Sequence, residues 1–123
     1  MGYSTDFYGA LAMSRELTEQ ETNTINNLQH IRHEDGYEKG RSIWCQWIVE
    51  DGQLKWDGGE KFYGYIGWLK YLISEYFEKW GVKLNGEIGF MGEDFDDKGV
   101  IDVTDNNVKV YGFVIDRTKE ILK

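Results

Sequence analysis

The densest group of chemically active side chains in this 123-residue sequence is an acidic stretch between residues 92 and 105. Carboxylates placed this close together can hold a hard cation or attract a basic protein surface. The six acids are Glu93, Asp94, Asp96, Asp97, Asp102 and Asp105, and Lys98 is the one base among them. Six carboxylates against one ammonium leave a formal charge of −5. We therefore predict that these six residues form a binding patch for a basic partner.

Part of this stretch has the spacing of a calcium-binding loop. Asp94, Asp96, Gly99 and Asp105 fall at positions one, three, six and twelve of such a loop. Lys98 occupies a position that needs an oxygen ligand, and the twelfth residue is Asp instead of Glu. A solvated turn is the simplest interpretation and a metal site is an alternative. Our prediction is a protein-binding patch without a metal or other cofactor.

A second group of residues suits a small anionic ligand. Gly58 and Gly59 precede a predicted helix, and free amides at a helix N-terminus favour phosphate. Trp44 would add an aromatic surface beside them. The usual glycine-rich phosphate motifs are absent, and Asp57 and Glu60 place negative charge at the same point. Trp44, Gly58 and Gly59 therefore belong to an alternative prediction, a binding protein for a nucleotide signal.

A third group lies on the outer side of the same predicted helix. At 100° per residue, Tyr63, Gly64, Gly67 and Tyr71 point away from its apolar stripe. Each glycine inside a helix costs about 1 kcal/mol relative to alanine, so something should offset that cost. One explanation is that the glycines are simply tolerated or that another loop of the chain packs there. The other is a partner surface, and we predict that Tyr63 and Tyr71 contribute to partner binding.

The sequence contains no pattern typical of an enzyme. Cys45 could pair with His30 or His33, but no nucleophile motif surrounds it. No spacing of carboxylates indicates glycosidase or phosphodiesterase chemistry. We predict no catalytic residue, and a metal-dependent hydrolase is the third-ranked alternative.

The element that must position these groups is a long amphipathic helix predicted from Glu60 to Gly81. Its large apolar residues recur at steps of four and three, which places them on one face. Asp57 is the expected N-cap, with Glu60 completing a capping box, and Gly81 is the expected left-handed stop. The stripe consists of Phe62, Ile66, Leu69, Ile73, Tyr76 and Trp80.

Strands and one thinner helix are predicted around this element. The thinner helix begins at Glu19 after a Thr18 to Glu21 capping box and ends near His33, and a polar, mobile loop follows over 33–41. The strands are expected at 3–14, 42–50, 53–56, 82–91, 100–104 and 108–115, with a flexible tail or frayed helical turn over 116–123. The order β-α-β-β-α-β-β-β predicts one α+β domain of ferredoxin-like, or split βαβ, type. Two helices would cover one face of an antiparallel sheet that a C-terminal hairpin extends.

Composition limits the setting and the partners. The formal charge of −8 disfavours direct binding to nucleic acid or to an anionic membrane surface. No apolar run is long enough to span a bilayer, and no secretory leader is evident. The single cysteine excludes an internal disulfide. These features predict a cytoplasmic protein.

The sequence resembles a family of small uncharacterised proteins associated with bacteriophages and prophages. The resemblance lies in MGYSTDF at the start, WCQW at 44–47, WDGGEKFY at 56–63, WLKYLI at 68–73, and WG, LNGE and GED between 80 and 94. It implies a phage-borne protein inside a host cell, and it carries no established reaction. We therefore predict a non-enzymatic binding protein that contacts a basic host protein. An inhibitor of a bacterial defence system, in the manner of an anti-CRISPR protein acting on a CRISPR effector, is its most concrete form.

Overall fold

The structure, a computed structural model, describes residues 2–112. Within that range an antiparallel sheet of six strands has the order β2-β3-β1-β4-β5-β6. The strands are β1 (Thr5–Met13), β2 (Trp47–Glu50), β3 (Gln53–Trp56), β4 (Leu84–Gly92), β5 (Lys98–Thr104) and β6 (Asn107–Gly112), and the helices are α1 (Glu19–Asn27) and α2 (Tyr65–Leu72). The predicted α+β class, the antiparallel sheet and the hairpin of β5 and β6 are confirmed. Residues 113–115 of the predicted last strand and the predicted tail at 116–123 lie outside the described residues.

The sheet is built on the pairing of β1 with β4, which runs from Thr5 opposite Gly92 to Met13 opposite Leu84. β1 was predicted to be apolar on both sides, but only one side is buried. Phe7 enters the core, whereas Tyr8 is 57% exposed on the opposite side. Because successive strand residues point to opposite faces, each of the other strands also has one side toward the core and one side away from it.

Both helices pack on the buried face, since their inward residues and those of the strands form one hydrophobic cluster. The other face of the sheet has no element packed on it within residues 2–112, and we call it the open face. Its outward residues include Asp6, Tyr8, Glu87, Met91, Val100 and Asp102.

The capping box of α1 is confirmed. The Glu21 amide donates to Thr18 Oγ1 at 3.1 Å, and the Thr18 amide donates to Glu21 Oε1 at 3.0 Å. The helix ends earlier than predicted, at Asn27, and a 3₁₀ turn continues to His30. A bond from Arg15 to Glu21, together with the Thr18 amide, lowers the pKa of Glu21 to about 2.

The predicted long helix is shorter and is interrupted. It begins at Tyr65 instead of Glu60, with Gly64 at its N-cap in a left-handed conformation, so the predicted Asp57 cap and its box are wrong. Regular α-helix ends at Leu72 and a π-helical turn follows over Ile73–Phe77. Gly81 is left-handed beyond it, as predicted.

The first turns of the predicted helix are lost because of a tertiary contact. Phe62 is buried between the rings of Phe7 and Trp47, at centroid distances of 5.8 and 5.1 Å. Reaching this position requires an irregular approach, in which Lys61 has a φ of 59°. The core is therefore anchored by aromatic rings from a strand, a loop and the hairpin of β2 and β3. None of the described helices is long and apolar enough to cross a membrane.

Candidate functional site

Residues 93–97 connect β4 to β5, and we call them the acidic turn. The turn is closed by two backbone bonds, from the Gly92 amide to the Asp97 carbonyl at 2.7 Å and from the Asp97 amide to the Asp94 carbonyl at 3.0 Å. Asp94 and Asp96 are exposed on it. Between them, the side chain of Phe95 is 87% exposed, the most exposed of the large hydrophobic side chains described.

Tyr3 holds the turn in place from behind. Its hydroxyl donates to Asp97 Oδ2 at 2.7 Å and accepts from the Asp94 amide at 3.0 Å. Desolvation and the bond to Asp97 raise the pKa of Tyr3, so the phenol stays protonated and keeps its donor. The neighbouring Ser4 amide donates to Glu93 Oε1 at 2.9 Å. These bonds hold the turn in one arrangement within the chain itself.

Tyr63 supports this arrangement and is not part of the exposed surface of the turn. Its hydroxyl accepts from the Tyr3 amide at 3.0 Å, which links the segment before α2 to the acidic turn. Gly92 is required beside this contact, because a Cβ there would lie 2.2 Å from the Tyr3 hydroxyl. Sequence reasoning assigned Tyr63 to the partner surface, but the structure places it behind the acidic turn, where it contacts Tyr3.

An apolar strip continues from the turn onto the open face. Lys98 Nζ lies 4.7 Å from the ring centroid of Phe95, a cation–π contact. Met91 is the register partner of both Lys98 and Asp6, and its side chain is 48% exposed. Tyr8 follows two residues along β1, about 7 Å further. Phe95, Met91 and Tyr8 thus present apolar surface next to the exposed carboxylates.

The structure separates the other two predicted acids from the turn. Asp102 lies on the open face, paired in register with Glu87 and Lys109. Asp105 lies beyond the far end of β5, where its amide and carboxylate bond the side chain of Asn85 at 2.9 and 3.1 Å. Four of the six predicted acids therefore share one surface.

The calcium-loop alternative is incompatible with this geometry. Asp94 and Asp105 would supply the ligands at loop positions one and twelve. They lie at opposite ends of a seven-residue strand, about 23 Å long. Among residues 2–112, no three His, Cys, Asp or Glu side chains are grouped so that they could hold a metal ion.

The glycines of α2 accommodate a loop of the same chain. A Cβ on Gly67 would lie 1.8 Å from the Gly40 carbonyl oxygen, and one on Gly64 would lie 2.7 Å from the Arg41 carbonyl carbon. The Arg41 guanidinium stacks over Tyr71 with its carbon 3.9 Å from the ring centroid. Of the two explanations for the glycines, loop packing is the one observed, and Tyr71 is half-covered by that loop.

The predicted phosphate cradle is not formed. Gly58 and Gly59 lie six and five residues before Gly64, the N-cap of α2, so they are not at a helix terminus. The Gly59 amide donates to Asp57 Oδ1 at 2.7 Å and is already satisfied. Trp44, the third residue of this prediction, lies before β2 and lines a separate cleft.

Cys45 has the environment of a structural residue. Its thiol is buried, and burial raises its pKa to about 12. His33 packs its ring against Trp68 at 4.7 Å and bonds the Leu28 carbonyl through Nε2 at 3.1 Å. A buried thiol with a raised pKa is not the thiolate that nucleophilic catalysis requires.

Tyr3 and Phe95 are the residues of this candidate site that sequence reasoning missed. Phe95 had a visible signal, because it is the one apolar residue between Glu93 and Lys98. Tyr3 had none, since its partners lie at positions 94 and 97. No family model, curated protein or solved structure matches the chain in comparisons with known proteins.

Proposed function

We propose that this protein is a non-enzymatic binding protein that engages a basic protein partner through the acidic turn and the apolar strip beside it. The observation that carries the proposal is the presentation of Phe95. A phenylalanine held 87% exposed on a turn that is already ordered gains free energy only when a partner covers it. Glu93, Asp94 and Asp96 surround it with negative charge.

The partner surface that fits this arrangement is an apolar pocket ringed by Lys or Arg. Aromatic side chains at the centre of an interface supply most of the binding energy, while rim charges set the association rate and the choice of partner. The formal charge of −8 adds long-range attraction toward a basic surface.

The specific form that we propose is an inhibitor of a bacterial defence system that acts in the host cytoplasm. Its support is the resemblance to phage proteins together with the small size and acidity of the chain. A basic groove that normally holds nucleic acid, such as that of a CRISPR effector, would meet the charge requirement.

Charge reversal on the turn tests the proposal. The Asp94→Lys, Asp96→Lys double variant and an equally charged control, Glu34→Lys, Glu38→Lys on the exposed 33–41 loop, are compared with the parent protein in pull-downs from infected host cells. A partner that binds the parent and the control but not the turn variant is then purified, and its affinity is measured against salt concentration. We expect the affinity of the parent to fall as salt rises. Equal binding by the turn variant and the control would reject the proposal.

The finer topology is also a proposal. We infer that the first four strands and both helices follow the split βαβ arrangement. Its support is the order β2-β3-β1-β4, in which β3 lies between the two strands that α1 connects and β4 lies on the other side of β1.

A further inference from the structure

A cleft of about 300 Å³ lies between the segments 42–46 and 60–63. We call it the aromatic cleft, because three rings line it, those of Tyr37, Trp44 and Tyr63. Trp44 is 44% exposed and Tyr37 is 59% exposed. In the part of the chain that the structure describes, neither of these two rings packs against another ring or a cation. Two large aromatic faces are therefore left open to a ligand.

The walls of the cleft are preformed. Ser42, which is buried, lies within hydrogen-bond distance of the carbonyls of both Trp44 and Tyr63, at 3.2 and 2.5 Å, and accepts from Trp68 Nε1 at 3.1 Å. On the other side, Gln46 Nε2 donates to the Glu60 carbonyl at 2.8 Å. These bonds join the two segments through side chains, so a ligand would meet a surface that is already ordered.

The acidity of the protein as a whole and the aromatic lining of the cleft favour a cation over an anion. Glu60 lines it with an exposed carboxylate, and the protein as a whole is strongly acidic. Lys61 is the single base among the lining residues, and its methylenes lie against Gly2. An anionic nucleotide would meet the Glu60 carboxylate beside the single ammonium of Lys61.

We infer that the aromatic cleft binds an organic cation, a quaternary ammonium or a guanidinium group, against the faces of Trp44 and Tyr37. Weakly hydrated cations of this kind are the ones that aromatic faces retain in water. The cation is either that of a free small molecule or the side chain of an arginine in a protein. This inference goes beyond the proposed function, because the ligand would contact Trp44 and Tyr37, which belong neither to the acidic turn nor to the apolar strip.

Calorimetric titration at constant ionic strength tests it. Choline represents the free molecule, N-acetylarginine methylamide represents the protein side chain, and 3,3-dimethyl-1-butanol is the uncharged isostere of choline. We expect at least one cation to bind about tenfold more tightly than the uncharged isostere, and the tighter cation identifies the source. Equal binding of the isostere and both cations, or no binding of either cation, would overturn the inference.

Variants locate the site. Trp44→Ala should weaken cation binding about tenfold, and Glu60→Gln should weaken it several-fold, whereas Lys61→Gln should leave it unchanged or strengthen it. Thermal denaturation shows whether the alanine variant is folded. If it is not, Trp44→Phe, which retains a ring, replaces it in the test. Unchanged cation affinity in both the Trp44 and Glu60 variants would place binding elsewhere and reject the cleft.

Discussion

The hydroxyl of Tyr3 lies 2.7 Å from Oδ2 of Asp97, although the two residues are 94 positions apart in the chain. The same hydroxyl accepts from the Asp94 amide. One side chain from the segment before β1 therefore orders the turn between β4 and β5. This pairing follows from the register of β1 with β4, in which Thr5 lies opposite Gly92.

Replacing Tyr3 with Phe removes only the oxygen atom that holds the acidic turn. We expect the free energy of unfolding to fall, since the hydroxyl donates one hydrogen bond and accepts another and both are lost. The Asp94 amide should also exchange with solvent faster. Urea denaturation and hydrogen exchange measure the two effects. Tyr8→Phe, on the open face of β1, is the matched control and should change neither the free energy of unfolding nor the exchange of the Asp94 amide. Equal behaviour of the two variants would mean that Tyr3 does not order the turn.

Phe95→Ala separates binding from stability. Because the ring is almost fully exposed, the free energy of unfolding should change by less than about 0.5 kcal/mol. Affinity for the partner should fall by about 2 kcal/mol or more, as expected of a central aromatic anchor. Thermal denaturation and a binding isotherm with the purified partner measure these quantities. An unaltered isotherm would remove Phe95 from the interface.

Gly67→Ala distinguishes loop packing from helix propensity. Propensity alone predicts a gain of about 1 kcal/mol for alanine inside a helix. The structure predicts the opposite sign, a loss of about 1 to 3 kcal/mol, because the new methyl group would collide with the Gly40 carbonyl. Chemical denaturation decides between them. Lys70, exposed on the same helix, provides the control: the stability of Lys70→Ala should stay within about 0.5 kcal/mol of the parent. A stabilised Gly67→Ala variant would show that the loop does not pack there.

Asn26 protects the edge of the sheet. Its side chain accepts from the Val49 amide at 2.7 Å and donates to the Val49 carbonyl at 2.9 Å, so it occupies the outward backbone groups of the edge strand β2. Asn26→Ala should cost about 1 to 3 kcal/mol of unfolding free energy by leaving both groups without a partner. An unpaired edge also promotes association between chains, which light scattering detects. Asn23→Ala, exposed on the same helix, is the control, and similar results for both variants would contradict this role.

The raised pKa of Cys45 predicts that stability depends on pH with a defined sign. Burial raises the pKa of the thiol from 9.0 to about 12, so the folded state holds a proton that the unfolded state releases above about pH 9. This contribution to stability is complete below pH 9 and is lost as the pH rises toward 12. At pH 8, a thiol reagent should react with the native protein only at the rate of unfolding. Rapid reaction of the folded protein would show that the thiol is accessible.

Residues close together in the sequence determined much of the fold. Thr18 and Glu21 form the predicted capping box, and Asp51 and Gly52 both have the positive φ that the predicted tight turn requires. Alternation of apolar and polar residues indicated β4, whereas the strand predicted at 42–50 is regular only over Trp47–Glu50. These features depend on the backbone preferences and mutual reach of neighbouring residues, which the sequence states directly.

Tertiary structure decided where the proposed partner surface lies. The strand register brought Tyr3 to the acidic turn and left Asp105 at the far end of β5, although all the acids are close in sequence. Burial of Phe62 among the rings of the core removed the predicted start of the long helix and with it the phosphate cradle at Gly58 and Gly59. Each of these outcomes depends on contacts between residues far apart in the chain. Local propensity contributes less free energy than burying a large ring, so the packing of the core overrides it.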